Sequence, residues 1–474
     1  MRFSKVCALT PRFPRALFGE ATSQDGHRSD RLFGSCRAAL NWTQYMRLLA
    51  TLLVVLAPAY GQTTNPEPEG WWAGDAHVHC DCGVAGGASF TPAQLREAMQ
   101  INNLSVISML ADMGNGEVRD AAADLPRVDG EDDPLSTPER VLHWDAEWHF
   151  DPRGVTFAQK AIGGHLIVLG LGHAERRFAE YTWPIQDWAL KQHAVVGFAH
   201  MQYLPDGIPQ DLNCCAPLEY PVEVALGTVS FLMEDVDGSD TAIESYYRLL
   251  NCGFRPGLAA STDFPCNFRK PIGSLLTYVY VPGGKLTYRA WIEGIGHGRT
   301  VVSRHGHREF LEVRVNHSAL PGDEIRLPRP GAVPVDVQWR ATEKLSGRLE
   351  LVRNGKVVAS RQVSAAPGSP ADLRHKLEFR HSGWLCARVM DAQGHRVHSG
   401  AVFVTVAGEP TRASAADAEF FMRWIDNLIA RTTPPADWSV YLAHDRDGAH
   451  ARYQEAKRIY KTIATEARQQ ERAR

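Results

Sequence analysis

Residues 71–80 read WWAGDAHVHC, an apolar run whose titratable side chains are Asp75, His77, His79 and Cys80. Side chains of an extended strand alternate between its faces, so His77 and His79 project to one side, at a separation that lets two imidazoles share one metal ion. By the same parity Cys80 and Cys82 face away, which disfavours a mixed His/Cys zinc site. Taken alone the pair is weak evidence, since two surface histidines with this spacing arise by chance. Three further runs add weight. His165 heads HLIVLGLG (165–172), His200 ends AVVGFAH (194–200) and Asp263 ends GLAASTD (257–263), each run otherwise apolar. An ionisable group placed so is costly unless it is paired or metal-bound. In a barrel of parallel strands the C-terminal ends converge on one mouth, where such folds build their sites. A carboxylate is still needed, and HWDAEWHFDP (143–152) offers Asp145, Glu147 and Asp151 beside His143 and His149.

Outward from this core, LSVISML (104–110) and VSFLME (229–234) read as further strands. Helical patterns fall at Pro92–Ile101 behind Thr91 as N-cap, Thr241–Leu250 and Tyr288–His297. Strands alternating with helices predict an α/β region over 71–310. After Phe310 the texture changes: VDVQWRA, GRLELVR, KVVASRQ, KLEFRH, WLCARVMD and AVFVTVA alternate apolar and polar residues, and Asn354-Gly355 is a hairpin signal. This predicts a small antiparallel β-sandwich over 311–408. Residues 414–474 carry helical periodicity and predict a helical tail.

The 474 residues, 44% hydrophobic, are enough for two or three domains and exclude wholesale disorder. Residues 46–62, MRLLATLLVVLAPAYGQ, have one Arg, an apolar stretch and small residues at cleavage spacing. They read as a secretory signal peptide at about 46–61, too short for a membrane span. The first 45 residues are Arg-rich and patternless, so Met46 is the expected start, residues 1–61 a leader, and the protein secreted or periplasmic. The leader holds eight Lys and Arg against three acids, so the formal net charge of -3 leaves -8 on the remainder. That acidic balance lacks the footprint of a nucleic-acid binder, and no membrane contact is expected once the leader is removed. Seven of the nine cysteines follow the leader, an odd number that leaves a thiol. Cys214, Cys215, Cys252 and Cys266, in or near expected loops, are the disulfide candidates.

With these segments in view, the chain from Trp71 to its C-terminus resembles the carbaryl-hydrolase-like (CehA/McbA) metallohydrolases of the polymerase-and-histidinol-phosphatase (PHP) superfamily. The resemblance rests on GDAHVH (74–79), VISMLADMGNG (106–116), AEWH (146–149), GGHLIVLGL (163–171), GFAH (197–200), PVEVALG (221–227), YYRLLNCGFRPGLAASTD (246–263), PIGSLLTYVYV (271–281) and LTYRAWIEGIGHGRTVVS (286–303). The fold it implies is a distorted PHP-type β/α barrel followed by the β-sandwich and the helical segment. Its metal ligands fall on His77, His79, Glu147, His165, His200 and Asp263, with Glu147 bridging. The chain departs from the wider superfamily in GVAGGA after the HxH pair, in Ala111-Asp112-Met113 and in Asp263-Phe264-Pro265. Those losses imply two divalent ions (zinc, manganese or iron), one on His77, His79, Glu147 and Asp263, the other on Glu147, His165 and His200.

The activity implied is hydrolysis, by metal-activated water, of an ester, carbamate or amide bond in a small molecule. Glu147 and Asp263 belong to the catalytic centre, and His149 is a candidate proton donor to the leaving group. Asp112 is expected to orient a ligand histidine. The alternatives are a PHP-type phosphoesterase, for which Arg176, Arg177, Arg269 and Lys270 are available, and a non-catalytic secreted binding module on the same scaffold. His305 and His307 either line a pocket or face solvent at the junction with the sandwich. Asp235-Val-Asp237-Gly-Ser239 fails as a calcium loop, with Asp240 at the sixth position and Tyr246 at the twelfth. Gly170-Leu-Gly172 lacks the third glycine of a dinucleotide loop.

Overall fold

The computed structural model describes residues 65–81, 89–114, 117–118, 124–150, 160–235, 240–267 and 270–472, all within one compact unit, Thr63–Arg474. The leader and signal peptide, Cys82, Asp151 and Arg269 lie outside the described residues. Among the described residues no helix is long and apolar enough to cross a membrane.

Strands β1 (Trp71–Val78), β2 (Val106–Gly114), β3 (Glu117–Val118), β4 (Val141–His149), β5 (His165–Leu169), β6 (Val195–Phe198), β7 (Phe231–Glu234), β8 (Gly257–Ala260), β9 (Leu276–Tyr280) and β10 (Thr300–Ser303) alternate with helices. These are α1 (Pro92–Ile101), α2 (Trp183–Leu190), α3 (Tyr220–Ala225), α4 (Thr241–Cys252) and α5 (Tyr288–Gly296). Thr91 caps α1 as expected: its side chain accepts from Gln94 N, and Gln94 Oε1 accepts from Thr91 N. There follow β11 (Glu309–Val315), β12 (Glu324–Leu327), β13 (Gly331–Ala341), β14 (Leu345–Arg353), β15 (Lys356–Ala365), β16 (Ala371–Phe379), β17 (Gly383–Asp391), β18 (Gly394–Ser399) and β19 (Val402–Val406). The helices α6 (Ala415–Thr432) and α7 (Arg446–Arg472) close the chain.

One large mixed sheet runs β12-β19-β17-β18-β10-β9-β1-β2-β4-β5-β6-β7-β8, and a small antiparallel sheet runs β11-β13-β16. The backbone ladder crosses residue 310 without a break, because β10 pairs with β18. Asn354 and Gly355, at φ 48° and 78°, make the expected hairpin turn between β14 and β15.

Two expectations need correction. The strands around the site are not all parallel: β5 is antiparallel to both β4 and β6. Nor is Cys252 in a disulfide; α4 extends through it and buries its thiol. Cys214 and Cys215 instead bond to each other, and Cys266 is disulfide-bonded. On one face of the site strands, Ala76, Leu110, Ile167, Phe231, Ala259 and Val279 form a buried cluster against Trp291, Ile292 and Ile295 of α5. Cys80 packs in the other, larger cluster with Trp71, Ala73 and Val78 and not with Ala76, whose parity it shares, because the ladder shifts register between Asp75 and Val78 and Cys80 lies past the end of β1.

Candidate metal centre

Strand ends bring the titratable side chains together. The reversed direction of β5 sets its first residue beside the last residues of its neighbours. Thus His165 pairs with His149 of β4, and the Ala199 N–H donates to the His165 carbonyl at 3.2 Å. On the far side, Val78 bridges Phe264 and His79 N donates to Phe264 O at 2.6 Å, which fixes Asp263 against the end of β1. Both His200 and Asp263 turn sharply out of their strands in left-handed conformation, at φ 57° and 51°. Non-glycine residues adopt that region at a cost of roughly 1–2 kcal/mol, and such conformations cluster at functional sites.

The imidazoles of His77 and His79, fully buried, face each other with 3.1 Å between their Nε2 atoms. Leu110 O accepts from His79 Nδ1 at 3.0 Å, so Nδ1 carries the hydrogen and Nε2 turns its lone pair inward. Asp235 Oδ1, 3.1 Å from His77 Nδ1, assigns the same tautomer to His77. Glu147 Oε2 lies 3.2 and 3.1 Å from the two Nε2 atoms, and Asp263 Oδ1 lies 3.4 and 3.6 Å from them. Four donor atoms converge, and in the neutral tautomers no hydrogen lies between them. They repel unless positive charge lies among them. Ligand bonds of 2.0–2.1 Å in tetrahedral array put donor atoms about 3.4 Å apart, the spacing seen here.

The other oxygen of Glu147 faces a second group. Oε1 is 2.9 Å from His165 Nδ1 and 3.4 Å from His200 Nε2. His149 Nε2 lies 3.1 Å from Glu147 Oε2 and 2.8 Å from Asp112 Oδ1, and its ring lies tilted by 32° against His165 with 3.6 Å between centroids. Three sets of donor atoms could each hold an ion: His77, His79, Glu147 and Asp263; His77, His200 and Asp235; Glu147, His149 and His165.

The field in this region calls for positive charge. Burial alone would raise the Glu147 carboxyl, but His77, His149 and His165 hold it well below the usual range. Burial is likewise outweighed at Asp235, held low by His77 and His200. At Asp263 burial prevails and pushes the carboxyl up to about 6. His77 is raised well above its ordinary value against burial by Glu147, Asp263 and Asp235, and His200 goes up to about 10 through Asp235 and Glu147. Burial and the neighbouring His149 push His165 well below its ordinary value, which leaves it a neutral donor. Protons and a metal ion would compete for the same nitrogens.

No family model and no curated protein matches this chain. Solved structures similar to it include a two-domain protein containing a predicted PHP-like metal-dependent phosphoesterase from Bacteroides vulgatus. It is 14% identical with a TM-score of 0.38, covering 72% of this chain and 97% of that one. A lesion-specific endonuclease from Pyrococcus furiosus is 10% identical with a TM-score of 0.31, covering 48% of this chain and 56% of that one. The sulfur carrier protein SoxY from Chlorobium limicola f thiosulfatophilum is 13% identical with a TM-score of 0.15, covering 20% of this chain and 78% of that one. At such scores the likenesses carry no activity across.

The structure brings together His77, His79, Glu147, His149, His165, His200 and Asp263. Of the other carboxylates offered by the same segment, Asp145 points elsewhere. It accepts from Gly170 N, Leu171 N and the Tyr288 hydroxyl, and burial raises it to about 6. His143 pairs with Asp132 and stacks on Tyr288. Arg177 pairs with Glu175 and lies over Trp188.

Sequence reasoning missed Asp235, set aside with the failed calcium loop. It is fully buried at the end of β7, accepts from His200 N at 2.8 Å and Ser261 Oγ at 2.5 Å, and supports His77. The apolar run ending in Glu234-Asp235 carried the same signal as the runs that end in His200 and Asp263. Asp75 was also passed over; it accepts from Thr262 N and Oγ1 and from Gly273 N, and burial raises it to about 6.

Proposed function

We propose that this chain is a metal-dependent hydrolase of the PHP type, with two divalent ions sharing Glu147. One ion would be held by His77, His79, Glu147 and Asp263, the other by Glu147, His165 and His200, at the mouth of a distorted barrel. The observation that carries the reading is the pair of inward-facing Nε2 atoms of His77 and His79, 3.1 Å apart beside two carboxylates. Divalent ions bound there would supply hydroxide at neutral pH and polarise the oxygen under attack. The residues do the rest. Glu147 reaches both donor groups with its two oxygens, and Asp235 keeps the His77 ring in the orientation its role requires. Asp112 and Glu147, both within hydrogen-bond reach of His149 Nε2, keep a hydrogen on that atom, ready for a departing alkoxide or amine.

An ester, carbamate or amide of a small molecule is the proposed substrate, and the resemblance to the carbaryl-hydrolase-like enzymes supports that order of preference over phosphoesters. Protein purified without chelator should carry two equivalents of metal and turn over aryl esters or carbamates when supplied with Mn²⁺ or Zn²⁺. His77→Ala/His79→Ala should lose both metal and turnover. A reproducible stoichiometry of zero or three would sink the two-ion reading. Phosphoesterase activity alone would reverse the substrate order while leaving the metal centre in place.

A further inference from the structure

Outside the donor cluster, a cavity of about 500 Å³ opens where Pro271–Ser274 and the residues after β10 meet the end of α1. Its ionisable lining is Arg304, His305, His307 and Arg308, and among the described residues no carboxylate side chain lines it. Two of these groups are committed. Arg304 Nη2 sits 2.7 Å from Glu234 Oε2, and His307 Nε2 sits 2.7 Å from Glu67 Oε2. The other two are not so held. Arg308 meets Glu343 at 3.3 Å in open solvent, the two side chains 65% and 50% exposed, and an exposed pair of that kind exchanges readily for another anion. His305 Nε2 lies 3.8 Å from Asp391 Oδ2, beyond hydrogen-bond distance. Burial and the charges of Arg396, Lys270 and Arg308 hold its imidazole below the ordinary value, a sign that the local field is positive. In the same wall Ser274 Oγ is shielded from solvent and has no hydrogen-bond partner among the described residues. A buried hydroxyl without a partner is unfavourable unless a ligand or water completes it.

We propose that this cavity binds a small phosphate anion, free or as the phosphate group of a metabolite-sized ester, with Arg308 as its charged contact and the His305 imidazole and the Ser274 hydroxyl as neutral ones. The volume exceeds a bare phosphate and leaves room for an attached group. The site does not depend on the hydrolase reading. It borders the loop whose Gly273 N reaches Asp75 inside the sheet at 3.2 Å, so a bound anion would brace that loop.

Isothermal titration of the full chain with inorganic phosphate, and separately with glycerol 3-phosphate, tests the proposal. Binding is expected in the wild type and in His77→Ala, and at least tenfold weaker in Arg308→Ala and His305→Ala. Preference for the ester or for the free ion then says which source the site serves. Arg308 lies largely in solvent, so its variant is expected to fold, and its circular dichroism should match the wild type. Absence of binding in the wild type overturns the proposal. So does binding that survives Arg308→Ala but vanishes with His77→Ala, since that would place the phosphate on the metal centre.

Discussion

Asp235 illustrates how much one side chain does when its surroundings are dry. Its two oxygens serve His77, the His200 main chain and Ser261, all without solvent. Carboxylates that orient ligand histidines in this way typically change metal affinity 10–100-fold when removed. Asp235→Asn keeps the shape but loses the charge, and is expected to weaken metal binding by at least tenfold in a chelator competition. A variant with unaltered affinity would show that His77 is oriented by something else. At this scale the sequence spoke through one rule, that a titratable group closing an apolar run needs a partner. The rule found His77, His79, His165, His200 and Asp263. Asp235 obeys the same rule at the end of the run VSFLME, where the broken calcium loop that begins with it masks the signal. Asp75 shows the rule's other limit: its partners Thr262 and Gly273 lie nearly two hundred residues away, and no local pattern announces them.

At the scale of elements, strand direction decides which end of a run faces the site. His165 stands at the head of β5, whereas the other donors stand at or just past strand tails; only the antiparallel pairing of β5 reconciles the two. A periodicity of two tells which face a side chain takes and says nothing about direction. Close approach is likewise invisible in sequence until the partner is known. Gly257, at the start of β8, lies against the end of α5, and a Cβ there would come 1.9 Å from the Ile295 carbonyl oxygen. Backbone on one side and a short strand on the other leave little room to adjust. Gly257→Ala is therefore expected to destabilise by about 3 kcal/mol, read as a lower urea midpoint. Gly207→Ala, with nothing within 4 Å of its Cβ, is the control and should leave the midpoint nearly unchanged. Equal midpoints for the two variants would contradict the packing described.

Over the whole molecule, the helical tail is fastened to the site-bearing sheet's helices by buried polar contacts. Trp424 Nε1 donates to Leu218 O at 2.8 Å, and Tyr453 donates to Glu219 Oε1 at 2.5 Å, while Thr182 N donates to Glu219 Oε2 at 2.8 Å. Burial, then the charge of Glu223, raises Glu219 to about 7. A carboxyl raised in the folded state binds a proton that the unfolded chain has already released. Its contribution is whole below the ordinary value near 4.5 and fades as pH rises through 7. Glu219→Gln should remove that fade. Relative to wild type it should gain about 3 kcal/mol between pH 4.5 and 8, the order expected for a shift of this size. Denaturant titrations of both proteins at pH 5 and pH 8 would reveal an identical pH dependence if Glu219 were instead ionised throughout. None of this linkage is legible in Pro221–Ala225 or in the periodicity of α7, since each shows only an apolar face and not what it meets. What the sequence determined by itself was β1, β2, β5 to β8, α1, α4 and α5, the Thr91 cap, the hairpin at Asn354-Gly355 and the donors at strand ends, because period, capping and desolvation act over a few residues. What only the tertiary structure decided was the reversal of β5, the recruitment of Asp235, and the ladder that carries the sheet past residue 310. Those depend on backbone pairing and burial between segments far apart in the chain, for which local sequence holds no record.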